Sequence, residues 1–364
     1  MRKLYCDSET RSSVDLAKCG ADRYANDPET DWTMWSYCFD DGPVRLIVNP
    51  VLQEEIGEPE GCDWDYEFTD ELPEEVADHV RSDGIVVAHN CQFDYGIWNN
   101  VCAPRHNWPL LVPSQLEDTM AKGLACAMPG NLADLGSAVG VSVPKFLDGR
   151  KVMLRYCKPN KDGEYAGDPE SLGVYMNYAA FDIPPMVEID QKLPDLSDTE
   201  RQVWLLNFKI NQRGIPVDLA LIERIKERQA EVDQTIEEDL VALTDGEVDG
   251  AVVRSTPKLL KYLAGLGCQL PNLTKGEVQK YLAGADPNSV PAQLLQLRAS
   301  YCKTSLKKFD AMLDRCVDGR IRDGHVYHRA TTGRFAGSGV QVQNVPRPVM
   351  KQDEIENYIE ELMR

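Results

Sequence analysis

Apolar and polar positions change rhythm once along this chain. Up to about residue 195, short apolar runs alternate with amphipathic stretches. Leu4-Tyr5-Cys6, Thr33 to Phe39 and Val44 to Val48 read as three strands, the last two joined across the hairpin-type turn Asp40-Asp41-Gly42-Pro43. Pro73 to Arg81 predicts a helix, Ile85 to Ala88 a buried strand and Phe93 to Val101 a second helix. The order β-β-β-α-β-α predicts a mixed sheet with helices on its faces.

After Pro194 the pattern turns to helix upon helix. Ser197-Asp198-Thr199-Glu200 has the form of a capping box, in which the serine accepts an orphan amide and the glutamate reaches back. Helices are expected over about 198–212, 218–243, 257–265, 275–284 and 291–316. Lys261-Tyr262-Leu263-Ala264-Gly265 and Lys280-Tyr281-Leu282-Ala283-Gly284 echo each other, but two copies do not make a solenoid. The pattern sets a first domain, 1–195, apart from a helical part that follows, and marks a terminal amphipathic helix over 351–364.

Composition narrows the function classes. The 364 residues are 43% hydrophobic and 27% charged, which excludes a disordered or collagen-like chain. A formal charge of −20 excludes a uniformly basic nucleic-acid coat. The charge is divided, however: residues 251–350 carry 15 Lys and Arg against 6 Asp and Glu, or +9, which leaves −29 elsewhere. No window reaches the roughly 18 apolar residues of a membrane span, so a cytoplasmic protein is expected. Eleven scattered cysteines without a Cys-x-x-Cys pair argue for reduced thiols, with Cys6, Cys38, Cys91 and Cys126 as small core residues. His325 and His328 lack further ligands nearby in sequence, which argues against zinc.

Three groups of polar residues carry candidate chemistry. Asp7-Ser8-Glu9 follows the first apolar run, and alternation puts Asp7 and Glu9 on one face at roughly 7 Å between Cα atoms. Asp65-Tyr66-Glu67, with the same spacing, reads as an acidic loop. The Ile85 to Ala88 strand ends in His89 and Asn90, and Asp94 falls in the first turn of the next helix, where capping alone would favour an acid. In a helix beginning near Ser171 and ended by Pro184, Tyr178 and Asp182 lie four apart on one face.

Together, Asp7-x-Glu9, Asn90-x-x-Phe93-Asp94 and Tyr178-x-x-x-Asp182 resemble the three exonuclease motifs of the DEDD family, Tyr variant, on an α/β RNase H-like fold. Converging carboxylates demand cations, since two charges about 4 Å apart repel by roughly 4 kcal/mol at an effective dielectric of 20. Oxygen ligands select Mg²⁺ or Mn²⁺, and a pair of ions about 3.5–4 Å apart suits in-line phosphodiester chemistry. The resemblance implies that Asp7, Glu9 and Asp182 hold one ion, that Asp7 bridges to a second held partly through Asp94, and that Tyr178 orients the attacking water. Thr10 and Asn90 are implied contacts to the terminal nucleotide, and the implied reaction is 3′-to-5′ hydrolysis of DNA.

The helical half resembles the thumb and the start of the palm of family A DNA polymerases, through Trp204 to Asp218, Leu294 to Ser305, Ala330-Thr331-Thr332-Gly333-Arg334 and Gln341 to Pro346, which implies a thumb over 196–328 and a thumb and palm junction over 329–350. In that light Lys303, Lys307, Lys308, Arg329 and Arg334 meet duplex phosphates, with Arg334, Gln343 and Asn344 near the primer end. No palm or fingers motif follows Pro348. The expectation is therefore the proofreading and DNA-gripping half of a split polymerase, with palm and fingers on a separate chain docked partly through Ile355, Ile359 and Leu362. A free-standing exonuclease and a non-catalytic DNA clamp are the alternatives.

Overall fold

The first strand of the chain, β1 (Lys3–Arg11), lies inside a six-stranded sheet with β2 (Asp31–Phe39), β3 (Arg45–Val48), β4 (Asp65–Phe68), β5 (Ile85–Ala88) and β6 (Leu116–Asp118). The computed structural model describes residues 2–146, 149–302, 306–345 and 347–364. The strand order is β4-β3-β2-β1-β5-β6. β1, β2 and β3 form an antiparallel meander, and β4, β5 and β6 each join in parallel. The anticipated strands are all present. Asp65-Tyr66-Glu67 is a correction: it belongs to edge strand β4 rather than a loop, and its exposed Asp-Tyr-Glu shows no apolar face to betray it.

Alternation along β1 sorts its side chains between two cores. Leu4 and Cys6 join Trp35, Val86 and Trp98 on one face, whereas Tyr5 joins Met34, Val87 and Tyr175 on the other. The first face is an aromatic cluster, with Trp98 to Trp108 ring centroids 4.9 Å apart and Trp35 to Trp98 centroids 5.2 Å apart. A bulge opposes Glu9 to Met34 and Thr10 to Trp32, so Thr33 is skipped and Trp32 turns to the face of Trp35.

Two expected helices start or stop elsewhere. The Pro169–Ala180 helix is capped by Asp168, whose carboxylate accepts from the Ser171 amide. Pro184 does not end it. Phe181 and Asp182 turn the chain, and Pro184 and Pro185 fall in the first turn of the next helix, Ile183–Lys192, where the missing N–H groups leave no intrahelical bond unmade. The stretch 291–316 is likewise two helices, Val290–Tyr301 and Lys307–Arg315.

The chain divides into two compact units. One takes the sequence up to Val217 together with Asp314–Gln343, and the other takes Asp218–Leu313 with Asn344–Arg364. The division thus falls at 217 rather than 195, because Trp204 and Phe208 of the Asp198–Arg213 helix are buried in the tryptophan core. Residues 314–343 return to that first unit: β7 (Ile215–Pro216) pairs with β9 (Arg320–Ile321), which pairs with β8 (Cys316–Val317), and β10 (His325–Val326) pairs with β11 (Ala336–Gly337). The second unit has its own core around Leu240, Val253, Leu259, Leu263 and Leu294. Its terminal helix, Gln352–Met363, packs on the long Leu219–Leu243 helix, and Arg224 Nε donates to the Leu362 carbonyl at 3.3 Å. Ile355, Ile359 and Leu362 are half-buried, so the face expected to dock a partner is turned inward instead.

Candidate active site

The end of β1 supplies two carboxylates and the turn between two helices a third. Ligand oxygens of Asp7, Glu9 and Asp182 lie within 4.8 Å of one another. The alternation that aims Asp7 and Glu9 at Asp182 aims Ser8 at the opposite face, where the Gln92–Ile97 helix runs. Asp94 on that helix accepts from the Ser8 amide at 3.0 Å and the Ser8 hydroxyl at 2.6 Å. It therefore stands beside the trio rather than within it.

Burial raises the proton affinity of every member. Asp7 is held well above the usual carboxylate range, by burial first and then by the charges of Asp182, Asp94 and Glu9. Burial and Asp182 push Glu9 to about 8. Asp94 rises to about 7 through burial, against the pull of the Ser8 hydrogen bonds. Asp182 is raised by burial despite Lys145, whose ammonium lies 2.6 Å from Oδ2. Asp182 Oδ1 is buried with no hydrogen-bond partner. Four acids facing one lysine, all with oxygen donors and one buried oxygen unmatched, form a ligand set that fits hard divalent cations.

Tyr178 completes the floor. Burial pushes its phenol up to about 12, with Lys145 pulling the other way, so the hydroxyl keeps its proton. Lys145 Nζ also sits 5.1 Å from the centre of the Tyr178 ring. A Cβ on Gly149 would overlap Tyr178, so only glycine permits this close approach of the loop. Lys145 carries no periodic signal; it stands in the sequence as an isolated cation between Val143-Pro144 and Phe146.

Asp7, Asp182, Lys145, His89, Asn90 and Arg329 line one cleft of about 580 Å³, within the range of small-molecule sites. His89 is neutral: burial lowers it to about 4, its Nε2–H donates to the Gly130 carbonyl at 3.1 Å, and Nδ1 accepts from the Thr119 hydroxyl at 2.9 Å. Asn90 holds a left-handed backbone, φ 64°, a conformation asparagine tolerates, and its N–H donates to Asp118 at 2.9 Å.

The remaining DNA-contact candidates scatter. Thr10 shares the face of Ser8; its buried hydroxyl bonds Tyr24 at 3.0 Å, away from the trio. Lys303 lies outside the described residues. Lys307 is exposed and Lys308 half-buried on the Lys307–Arg315 helix of the second unit, to which Asn344 also belongs. Arg334 and Gln343 are exposed in the first unit. Cys6, Cys38 and Cys91 are buried as anticipated, whereas Cys126 is only half-buried.

A second carboxylate trio was not foreseen. Glu117, Asp190 and Asp195 also bring ligand oxygens within 4.8 Å. Here Lys122, 3% exposed at its side chain, reaches Asp190 at 2.5 Å and also Asp195. Lys3 bridges Asp190 and Glu117, both at 2.8 Å, and the Tyr5 hydroxyl donates to Asp190 at 2.8 Å. Burial opposes ionisation of Asp190, yet Lys122 and Lys3 more than offset it and hold the carboxyl below its usual value. The Lys122 hydrogen bond lowers Asp195 likewise.

No family model matches the sequence. The chain is homologous to a DNA polymerase of Bacillus phage SP02, with 29% identity over 362 residues that cover 95% of this chain and 52% of the phage protein. Among solved structures, the POL domain of Pol1 from M. smegmatis, in complex with DNA primer-template and dNTP, matches with a TM-score of 0.49 and 15% identity, over 95% of this chain and 52% of that one. The chain spans about half the length of the relatives it matches. Among the described residues no helix is long and apolar enough to cross a membrane.

Proposed function

We propose that this chain carries the 3′-to-5′ DNA exonuclease activity of a family A DNA polymerase. The observation that carries the reading is the Asp7, Glu9 and Asp182 trio, formed by residues far apart in the sequence of a polymerase homologue. Asp7, Glu9 and Asp182 would hold divalent cations, Mg²⁺ or Mn²⁺, with Asp94, bonded to Ser8 beside them, as a further acid of the site. When bound, such ions supply Lewis acidity and offset the charge that builds on the phosphorus oxygens.

The protein's own side chains do the rest. Tyr178, kept protonated, gives the attacking water a hydrogen-bonding partner and fixes its line of approach. Lys145 holds Asp182 in place through their ion pair and keeps the Tyr178 ring against the cleft floor. Asn90, on its left-handed turn, presents its amide to the terminal nucleotide. Lys307, Lys308, Arg334, Gln343 and Asn344 serve duplex binding, a sequence-independent contact.

The test is release of nucleotide from a 3′-labelled primer with Mg²⁺ by the native chain and by Asp7→Ala and Asp182→Ala. Loss of release in both variants is expected. Equal release by all three proteins rejects the metal assignment, and no release by any of them favours the clamp.

A further inference from the structure

We infer that Arg329 grips a backbone phosphate of the single strand whose 3′ end enters the carboxylate cleft. This rests on the hydrolytic reading above and adds the residue that holds the strand upstream of the bond to be cut. The sequence resemblance assigned Arg329 to duplex phosphates at a thumb and palm junction. In the structure it lines the cleft that holds Asp7 and Asp182.

The loop that carries Arg329 is fastened on both sides. β10 and β11 pair through His325 with Gly337 and Val326 with Ala336. Asn211, 2% exposed, donates to the His325 carbonyl at 2.7 Å and accepts the His325 N–H at 3.0 Å. Tyr327 is buried in the tryptophan core, and its hydroxyl donates to Glu200 at 2.6 Å. Beyond Arg329, the Ala330 N–H donates to the Arg334 carbonyl at 3.1 Å and the Gly333 N–H to the Ala330 carbonyl at 2.8 Å, a turn that Gly333 closes at φ 75°. The backbone that carries the guanidinium is thus fixed before any strand binds.

Its surroundings select the ligand. The guanidinium lies against Gly130, where a Cβ would overlap it, and the Gly130 carbonyl receives His89. Of the two cations lining the cleft, Lys145 is committed to Asp182, whereas Arg329 has no ion-pair or hydrogen-bond partner among the described residues. A permanently charged, five-donor fork matches two oxygens of a phosphodiester. The acids repel that same phosphate, so a cation elsewhere in the cleft is what admits the strand while the acids remain available to metal.

The full-length chain tests this with Arg329→Ala, Arg329→Lys and Gly130→Ala. Binding of a fluorescein-labelled single-stranded oligonucleotide is read by anisotropy in chelator across a salt series. Arg329→Ala is expected to weaken binding about tenfold, the loss of one charge-assisted contact, and to reduce the slope of log affinity against log salt by about 0.7. Arg329→Lys regains the slope but only part of the affinity. Gly130→Ala, which displaces the guanidinium but keeps its charge, weakens binding in the same direction by less. With Mg²⁺, kcat/KM for the oligonucleotide falls about tenfold in Arg329→Ala relative to that for the p-nitrophenyl ester of thymidine 5′-monophosphate, which has no upstream phosphate. An unchanged salt slope, or an equal fall on both substrates, overturns the assignment. A native chain that hydrolyses both substrates while Arg329→Ala matches it defeats the contact alone. Loss of slope in a protein that hydrolyses neither substrate defeats the hydrolytic reading and leaves the phosphate contact standing.

Discussion

Among the described residues, the first unit brings together two groups of three carboxylates, each with ligand oxygens within 4.8 Å of one another, and their electrostatics are opposite. Around Glu117, Asp190 and Asp195, two lysines and a tyrosine hydroxyl match the acids, and Asp190 and Asp195 ionise more readily than free side chains. Around Asp7, Glu9 and Asp182, one lysine reaches one acid, and all three hold protons more tightly than usual. Ligand spacing alone therefore does not distinguish a metal site from a structural knot. What distinguishes them is whether the protein has supplied the counter-charge itself.

Mutations should separate the two groups sharply. Asp7→Asn should lower 3′-end hydrolysis by about a thousandfold, roughly 4 kcal/mol of barrier, while leaving the fold intact, as checked by steady-state rates beside a thermal melt. Lys122→Ala should do the reverse: uncovering Asp190 should cost about 3–5 kcal/mol of stability in denaturant titration. Matching stability losses for the two variants would erase the distinction. Magnesium at a hundredfold over its dissociation constant should stabilise the native chain by about 2.7 kcal/mol, and Asp7→Asn but not Asp195→Asn should abolish that gain.

The smallest effect is on pH. Acids whose folded-state pKa is raised bind more protons folded than unfolded, so they favour folding at low pH and cost stability as pH rises towards the folded value. In chelator, Glu9 at about 8 and Asp94 at about 7 should make the melting temperature fall between pH 5 and pH 8. Asp190 and Asp195 have the opposite sign; their contribution is full at neutral pH and is lost only as pH falls through their lowered values. A metal-free melting temperature that rises over pH 5 to 8 would show that the first trio is not charge-starved.

The sequence made one of these groups legible and hid the other for a physical reason. Asp7 and Glu9 share a face through strand alternation, and Asp182 follows Tyr178 by one helical turn, just past the end of the Pro169–Ala180 helix, so local spacing marks all three. The same alternation already turned Thr10 away, with Ser8, towards the helix of Asp94. Glu117, Lys122, Asp190 and Asp195 sit on separate elements and individually look like solvated surface charge; only packing brings them together. Lys145 lies in an irregular segment where no period operates, and β4 escaped notice because an exposed edge strand has no core face to pattern. The sequence likewise marked a change to helices near residue 195, but the burial of Trp204 and Phe208 moved the division to 217.

The return of residues 314–343 to the first unit also sets a timetable for synthesis. When Val217 leaves the ribosome, the sheet is complete, yet the tryptophan core lacks Tyr327 and Asn211 lacks both of its bonds to His325. At about 5–20 residues per second, the missing piece arrives roughly 6–25 seconds later. Throughout that interval the nascent chain carries an apolar opening and an unpaired amide where the hairpin belongs, so the first unit completes its fold only after most of the second has been made.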